Sequence, residues 1–250
     1  MKILALVFAS RREGKSVTLQ VTEELCGLLH ARSAGAELEI VTMSELPVLS
    51  CVGCKTCFQE GFCPQDGADG MAALRQKLRD CDALIAATPV YMYSVSGWCK
   101  NFLDRCARWC HVFELLGKPC VALSVTGQTG AARACDYLSE CLETMGCCVA
   151  ARLPMQRQGE GLLVGSEEAQ AALSEAAGKL LDAVRQPENY LSELAEAQFQ
   201  AMLKSFRGIE TFRTLMGRRC PDEVDTFRQR GLMNCASLRE ALLKKGGSAT

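Results

Sequence analysis

Four cysteines, Cys51, Cys54, Cys57 and Cys63, sit in one short loop with the spacing C-x2-C-x2-C-x5-C. So tight a run brings four thiols within reach of a single centre. Known iron–sulfur runs have similar spacing and end in Cys-Pro, and here Pro64 follows Cys63. Gly53 and Gly61 supply the backbone freedom that a tight wrap needs. Three chemistries suit such a loop: a redox cluster, a zinc ion, or bare thiols that are redox-active through Cys51 and Cys54. Structural zinc sites usually split their ligands into two separated pairs, so the continuous run favours the cluster. The nearby Lys55, Glu60 and Asp66 do not discriminate between the three.

A second set of residues suits a phosphate and a flat ring. After the first apolar run, Ala9-Ser10-Arg11-Arg12-Glu13-Gly14-Lys15-Ser16-Val17-Thr18 gathers hydroxyls and arginines where a helix begins. The positive end of a helix dipole favours an anion there. Gly14-Lys15-Ser16 matches the tail of a nucleotide triphosphate loop, but Ala9 stands where that motif needs glycine. No run ends in an aspartate placed to hold magnesium, whereas a monophosphate such as that of FMN needs only hydroxyls and amides. Ser10 or Ser16 as a simple helix cap is compatible with either. Further on, Thr88-Pro89-Val90-Tyr91-Met92-Tyr93-Ser94 offers tyrosines and small hydroxyls to the edge of a heterocycle. Thr126-Gly127-Gln128-Thr129-Gly130 lets backbone amides approach a ligand closely.

These loops must be positioned by the elements between them. Apolar runs at 2–8, 37–43, 83–88, 119–125 and 147–153 alternate with amphipathic stretches at 16–32, 71–80, 97–116, 131–145 and 166–184. Strands this rich in Val, Ile, Leu and Ala predict an α/β fold, a parallel sheet with helices on both faces. The flavodoxin-like order 2-1-3-4-5 is the common five-stranded solution, and its ligands bind beyond the carboxyl ends of the strands. Residues 1–186 are expected to form this flavin-binding domain, with the cysteine loop at 51–63. Residues 187–250 are expected to form a helical C-terminal extension, whose stripe from Leu191 to Met216 needs a partner surface.

The chain has 250 residues, 48% apolar, with a formal net charge of -1. This excludes a general polyanion-binding surface and makes nucleic acid an unsuitable partner. The opening apolar run is too short to span a bilayer and reads as a buried strand, so no membrane partner is expected. Of the 16 cysteines, 12 lie outside the loop and read as small buried thiols in a reducing, cytoplasmic setting.

Cys51-Val52-Gly53-Cys54-Lys55-Thr56-Cys57 followed by Gly61-Phe62-Cys63 resembles the iron–sulfur flavoprotein family, within the flavodoxin-like NADPH-dependent FMN reductases. Thr88-Pro89-Val90-Tyr91, Ser96-Gly97 and Lys100-Asn101-Phe102-Leu103-Asp104-Arg105 are similar to that family's second signature. The resemblance covers about the first 150 residues. It implies FMN, a [4Fe-4S] cluster, and a homo-oligomer, dimer or tetramer, with the cluster close to a flavin, often that of a neighbouring subunit. Carried over, Ser10, Arg12, Ser16 and Thr18 would hold the phosphate. Pro89, Val90, Tyr91, Met92 and Tyr93 would flank the ring, with Thr126, Gly127 and Gly130 on its other side. Cys51, Cys54, Cys57 and Cys63 would ligate the cluster. The phosphate loop departs from the family's usual form, with Arg11 where proline is typical, and the paired aspartates are spread to Asp66 and Asp69.

The expected function is an FMN-dependent oxidoreductase passing electrons from NAD(P)H or ferredoxin to an acceptor through flavin and cluster. The alternatives are an NAD(P)H-dependent quinone or FMN reductase without a cluster, and a non-enzymatic electron carrier that docks to a partner enzyme. The flavin does the chemistry in the first reading, so no catalytic side chain is assigned.

Overall fold

The structure is a computed structural model that describes residues 1–9, 16–156 and 166–247. Five parallel strands form its centre: β1 (Lys2–Val7), β2 (Glu37–Thr42), β3 (Ala83–Tyr91), β5 (Pro119–Thr126) and β6 (Cys148–Gln156). They lie in the order β2-β1-β3-β5-β6, and a two-residue strand β4 (Ser94–Val95) pairs antiparallel with the end of β3. Without β4 this is the predicted flavodoxin-like order. The sheet has apolar residues on both faces because helices cover both. Leu4, Leu6, Leu84, Ala86, Cys120 and Ala122 bury against α3 (Met71–Asp80), α4 (Gly97–Arg105) and α6 (Ala131–Thr144). The alternate residues, Ile3, Ala5, Val7, Ile85, Val121 and Leu123, bury against α1 (Val17–Arg32) and α7 (Glu167–Arg185). Side chains that alternate across a strand thus feed two separate cores.

The helices that begin at Val17, Glu167 and Glu193 start where serine can cap them. The side chains of Ser16, Ser166 and Ser192 accept from Leu19, Ala169 and Ala195 N–H at 3.2, 3.2 and 3.1 Å. Each such cap is worth about 1 kcal/mol.

Two stretches differ from the sequence expectation. Residues 97–116 form no single helix: α4 ends at Arg105, and a short α5 (Trp109–Val112) follows a turn. Trp109 packs into one core while Phe113, four residues on, packs into a different one. Residues four apart on a straight helix share a face, so the backbone breaks to serve both. Likewise β3 runs on to Tyr91 rather than stopping at Thr88, because residues 90–95 close a hairpin.

The C-terminal helices α8 (Glu193–Leu215), α9 (Asp222–Gln229) and α10 (Leu238–Gly247) build a third core. Phe199, Phe206 and Phe227 pack there against Phe113, Leu116 and Cys148, so the middle of the helical stripe is buried against the rest of the same chain, while Leu194, Phe212, Leu215 and Met216 stay exposed. A five-residue helix α2 (Thr56–Glu60) lies within the cysteine loop and touches α9. No helix among the described residues is long and apolar enough to cross a membrane.

Candidate functional site

The carboxyl ends of β1, β3 and β5 open onto a cavity of about 250 Å³. Ala9, Ser16, Val17 and Thr18 line one side, Pro89, Val90 and Tyr91 a second, and Val125, Thr126 and Gly127 a third. The three predicted loops therefore meet at one mouth. Ser16 is the N-cap of α1 and Val17 and Thr18 are its first residues, whose free N–H groups suit an anion. The Ser16 hydroxyl caps the helix, and the Thr126 hydroxyl donates to Thr129 O at 3.0 Å and accepts from Gln128 N at 3.3 Å. Backbone groups of Thr126 and Gly127 are thus what that loop offers a ligand.

Not all predicted residues line this cavity. Met92 and Tyr93 form the two-residue turn of the β3–β4 hairpin, with φ of 49° and 62°, and Met92 is 93% exposed. Gly130 lies beneath the hairpin at φ 92°, where a Cβ would come within 3.2 Å of Tyr93 Cα and of Val90. It supports the hairpin rather than lining the cavity. Ser10 and Arg12 lie outside the described residues. Ala9, Val17 and Val125 line the cavity without having been predicted; small or apolar residues carry no chemical signal in a sequence. Ser96 is a further tie: it caps α4, donates from Oγ to Phe8 O at 2.7 Å and from N–H to Thr88 Oγ1 at 3.1 Å.

The cysteine loop follows β2 and packs against α3, α4 and α9. Gly53, Lys55 and Gly61 have φ of 67°, 61° and 80°, and these left-handed turns wrap the chain around its thiols. Cys51 and Cys54 are exposed, and Cys57 and Cys63 are half-buried. Burial, then the neighbouring Cys63, Cys51 and Cys54, push the Cys57 thiol up, so Cys57 lies within electrostatic reach of the other three. Hydrogen bonds from the Thr56 hydroxyl and backbone hold Cys54 below the ordinary thiol value. Among the described residues, no three His, Cys, Asp or Glu side chains converge closely enough for a single metal ion.

The second sequence signature holds the first in place. Asn101 and Arg105 are one helical turn apart on α4, and Asn101 donates to Val48 O at 3.4 Å while Arg105 donates to Leu49 O at 3.3 Å. Ser50 Oγ donates to Asn101 Oδ1 at 3.1 Å. Arg105 also meets Asp69 at 2.6 Å and Asp66 at 3.1 Å, and Arg75 meets Asp66. Asp66 and Asp69, three residues apart after the last cysteine, thus fasten the loop to α3 and α4. The arginines were not predicted: the partners of Arg105 lie 36 and 39 residues away in sequence, and the pair of Arg75 with Asp66, nine apart, bridges from the loop to a helix.

A sheet of this order, with a helix N-terminus and two loops around a cavity at its carboxyl edge, defines a flavodoxin-like protein. Residues 1–158 match the family described as NADPH-dependent FMN reductase, and the chain belongs to that family. It is 31% identical over 118 residues to an iron–sulfur flavoprotein of Archaeoglobus fulgidus, covering 47% of this chain and 51% of that protein. It is 30% identical over 143 residues to an NAD(P)H-dependent FMN reductase of Pseudomonas aeruginosa, covering 57% of this chain and 69% of that one. The chain spans about half the length of the iron–sulfur flavoproteins it matches. Among solved structures, RosB superposes with a TM-score of 0.59 at 16% identity, over 83% of this chain and 87% of that one. A flavone reductase does so with 0.56 at 17% identity, over 76% and 65%. At these identities the likeness is one of fold.

Proposed function

We propose that this chain is an FMN-dependent oxidoreductase that passes electrons between a reduced donor, NAD(P)H or ferredoxin, and an acceptor, using a [4Fe-4S] cluster beside the flavin. The observation that carries the reading is one chain holding both a carboxyl-edge cavity with a helix N-terminus and four free thiols gathered in one loop, three of them neighbours of Cys57.

The donor chemistry at each place fits its group. Ser16, Thr18 and the first turn of α1, with Ser10 and Arg12 from the preceding loop, would hold the FMN phosphate. Pro89, Val90, Tyr91, Thr126 and Gly127 would flank the ring, with Met92, Tyr93 and Gly130 shaping the hairpin over it. Cys51, Cys54, Cys57 and Cys63 would ligate the cluster, which keeps its thiolates farther apart than the ~3.8 Å of sulfurs around one tetrahedral zinc. Held there, an FMN would supply chemistry that exchanges electrons both in pairs, as hydride, and singly, and an iron–sulfur group would supply one-electron exchange. The chain's own residues bind and orient; none is needed as nucleophile or general base. Exposed Leu49, Val52 and Phe62 around the thiols, and Tyr91, Met92 and Tyr93 at the cavity, support a homo-oligomer that covers both.

An anaerobic absorption spectrum with iron and acid-labile sulfide analysis tests this reading. Flavin and iron–sulfur bands together are expected, whereas flavin without iron leaves an NAD(P)H-dependent FMN or quinone reductase. That second reading is favoured by the coverage of the Pseudomonas aeruginosa relative. Mixing with NADPH and NADH separates both from a pure carrier, whose flavin neither would bleach.

A further inference from the structure

Beside the thiol loop lies a cavity of about 310 Å³, whose wall carries Cys57 and Cys63 together with Arg75, Arg79, Arg105 and Arg108. Each guanidinium is anchored by a carboxylate: Arg75 by Asp66, Arg79 by Glu114, Arg105 by Asp69, and Arg108 by Asp222. The anchors leave two donors over. The Nε atoms of Arg105 and Arg108 are shut off from solvent and have no hydrogen-bond partner among the described residues. Arg105 is the more enclosed, its side chain only 1% exposed. Asp66, the carboxylate on the same wall, already serves Arg75 and the Nη2 of Arg105. A buried, charged N–H without an acceptor is costly, and a folded protein that keeps two of them on side chains lining one cavity has a use for them.

We propose that Arg105 and Arg108 are positioning residues for an iron–sulfur group on the thiol loop, their Nε–H groups donating to its sulfur atoms and their charge offsetting its own. The inference rests on the cluster reading above. Thiolates and sulfides are the acceptors that the two donors lack. N–H···S bonds and nearby cations raise the reduction potential of such a group, because reduction adds negative charge to it. When it takes one electron, no bond breaks and no proton moves. The carboxylates behind the arginines hold the two side chains in place beside the loop.

The test uses full-length, anaerobically purified protein, with dithionite as reductant in a dye-mediated potentiometric titration followed by electron paramagnetic resonance. Iron and sulfide are measured on the same samples, and circular dichroism checks the fold. Arg108→Met is expected to keep its iron and sulfide while the reduction equilibrium constant falls at least tenfold, about 59 mV for a one-electron couple. Arg105→Lys keeps the charge but loses the Nε–H, so a smaller shift in the same direction is expected. Should Arg105→Lys not fold, Arg108→Lys replaces it, since Arg108 is tied to α9 through Asp222 and Thr226 rather than to the loop itself. A wild-type potential in folded, iron-loaded Arg108→Met overturns the proposal and leaves the cluster reading standing. Wild-type protein that holds no iron and sulfide overturns the cluster reading, and the proposal falls with it.

Discussion

A carboxylate 2% exposed beside a guanidinium 1% exposed is stable only as a satisfied pair. Asp69 is also bonded by the N–H groups of Leu49 at 2.8 Å and Met71 at 3.0 Å. Burial alone would raise its pKa, but these donors and Arg105 outweigh it and hold the carboxyl below its usual 3.8. A carboxyl depressed in the folded state contributes stability above its unfolded pKa, and that contribution is lost as pH falls through the lower folded value. Asp69→Asn should therefore cost about 3 kcal/mol in urea unfolding near neutral pH and flatten the acid limb of stability against pH. A cost below about 1 kcal/mol would show that the pair does not fasten the loop. The sixteen cysteines divide by the same physics. Burial pushes Cys135 and Cys141 up to about 11, and Cys26 and Cys148 up to about 12, with Cys99 and Cys106 also well above the ordinary value. In iron-free protein near pH 8, a maleimide should label Cys54 first and leave Cys99 and Cys106 unmodified until denaturation, as read by mass spectrometry. Early labelling of a core cysteine would contradict that division. The ligand-type residues and their spacing were legible in the sequence. Their fastening by Arg75 and Arg105 was not, because a pair such as Arg105 and Asp69 is separated by 36 residues and leaves no periodic trace.

Among the elements, the β3–β4 hairpin is where local preference and observed conformation disagree. Two-residue turns with both central φ positive favour Asn-Gly, but here they hold Met92 and Tyr93. Bulky residues in that region cost about 1–3 kcal/mol each, and such strain collects at ligand sites. This is also why the hairpin was not legible: Pro89 reads as a strand end, and the usual turn signature is missing. Replacing Met92-Tyr93 with Asn-Gly should raise stability by about 1 kcal/mol while weakening FMN binding. Urea unfolding and flavin fluorescence titration check the two effects separately. A stabilised variant with undiminished FMN affinity would mean that the strained side chains do not serve the cavity. The central strands β1, β3 and β5, by contrast, were readable because apolar residues fill both faces of each, and the edge strands β2 and β6 because apolar residues recur along one face. The helix predicted over 97–116 failed for a tertiary reason, since Trp109 and Phe113 answer to different cores.

Across the whole molecule, the two candidate sites are braced differently. The upper cavity is lined from β1, α1, β3 and β5 and their loops, with no lining residue beyond Gly127 among the described residues. The thiol loop instead leans on the C-terminal helices. A Cβ on Gly61 would come within 2.6 Å of the Asp222 carboxylate at the start of α9, and Arg108 and Asp222 bind each other across the same contact. Phe58 in α2 stacks near His111 at 4.9 Å, and His111 bonds Glu223 of α9 at 2.7 Å. The position of α9 is set in turn by Phe227, 0% exposed, whose ring lies 5.9 Å from Phe199 and 5.2 Å from Phe206. That the extension is helical and has an apolar stripe was readable from its period, but its role as a brace for a loop some 150 residues earlier was not. Phe227→Ala should cost about 3–5 kcal/mol by opening a cavity in this third core. Because that core touches the thiol loop and not the upper cavity, the variant should lose iron and expose Cys57 to alkylation while FMN affinity stays near wild type. Iron analysis, alkylation of Cys57 and flavin titration on one preparation separate the two sites. Parallel loss of iron and FMN would show instead that the two sites stand or fall as one unit.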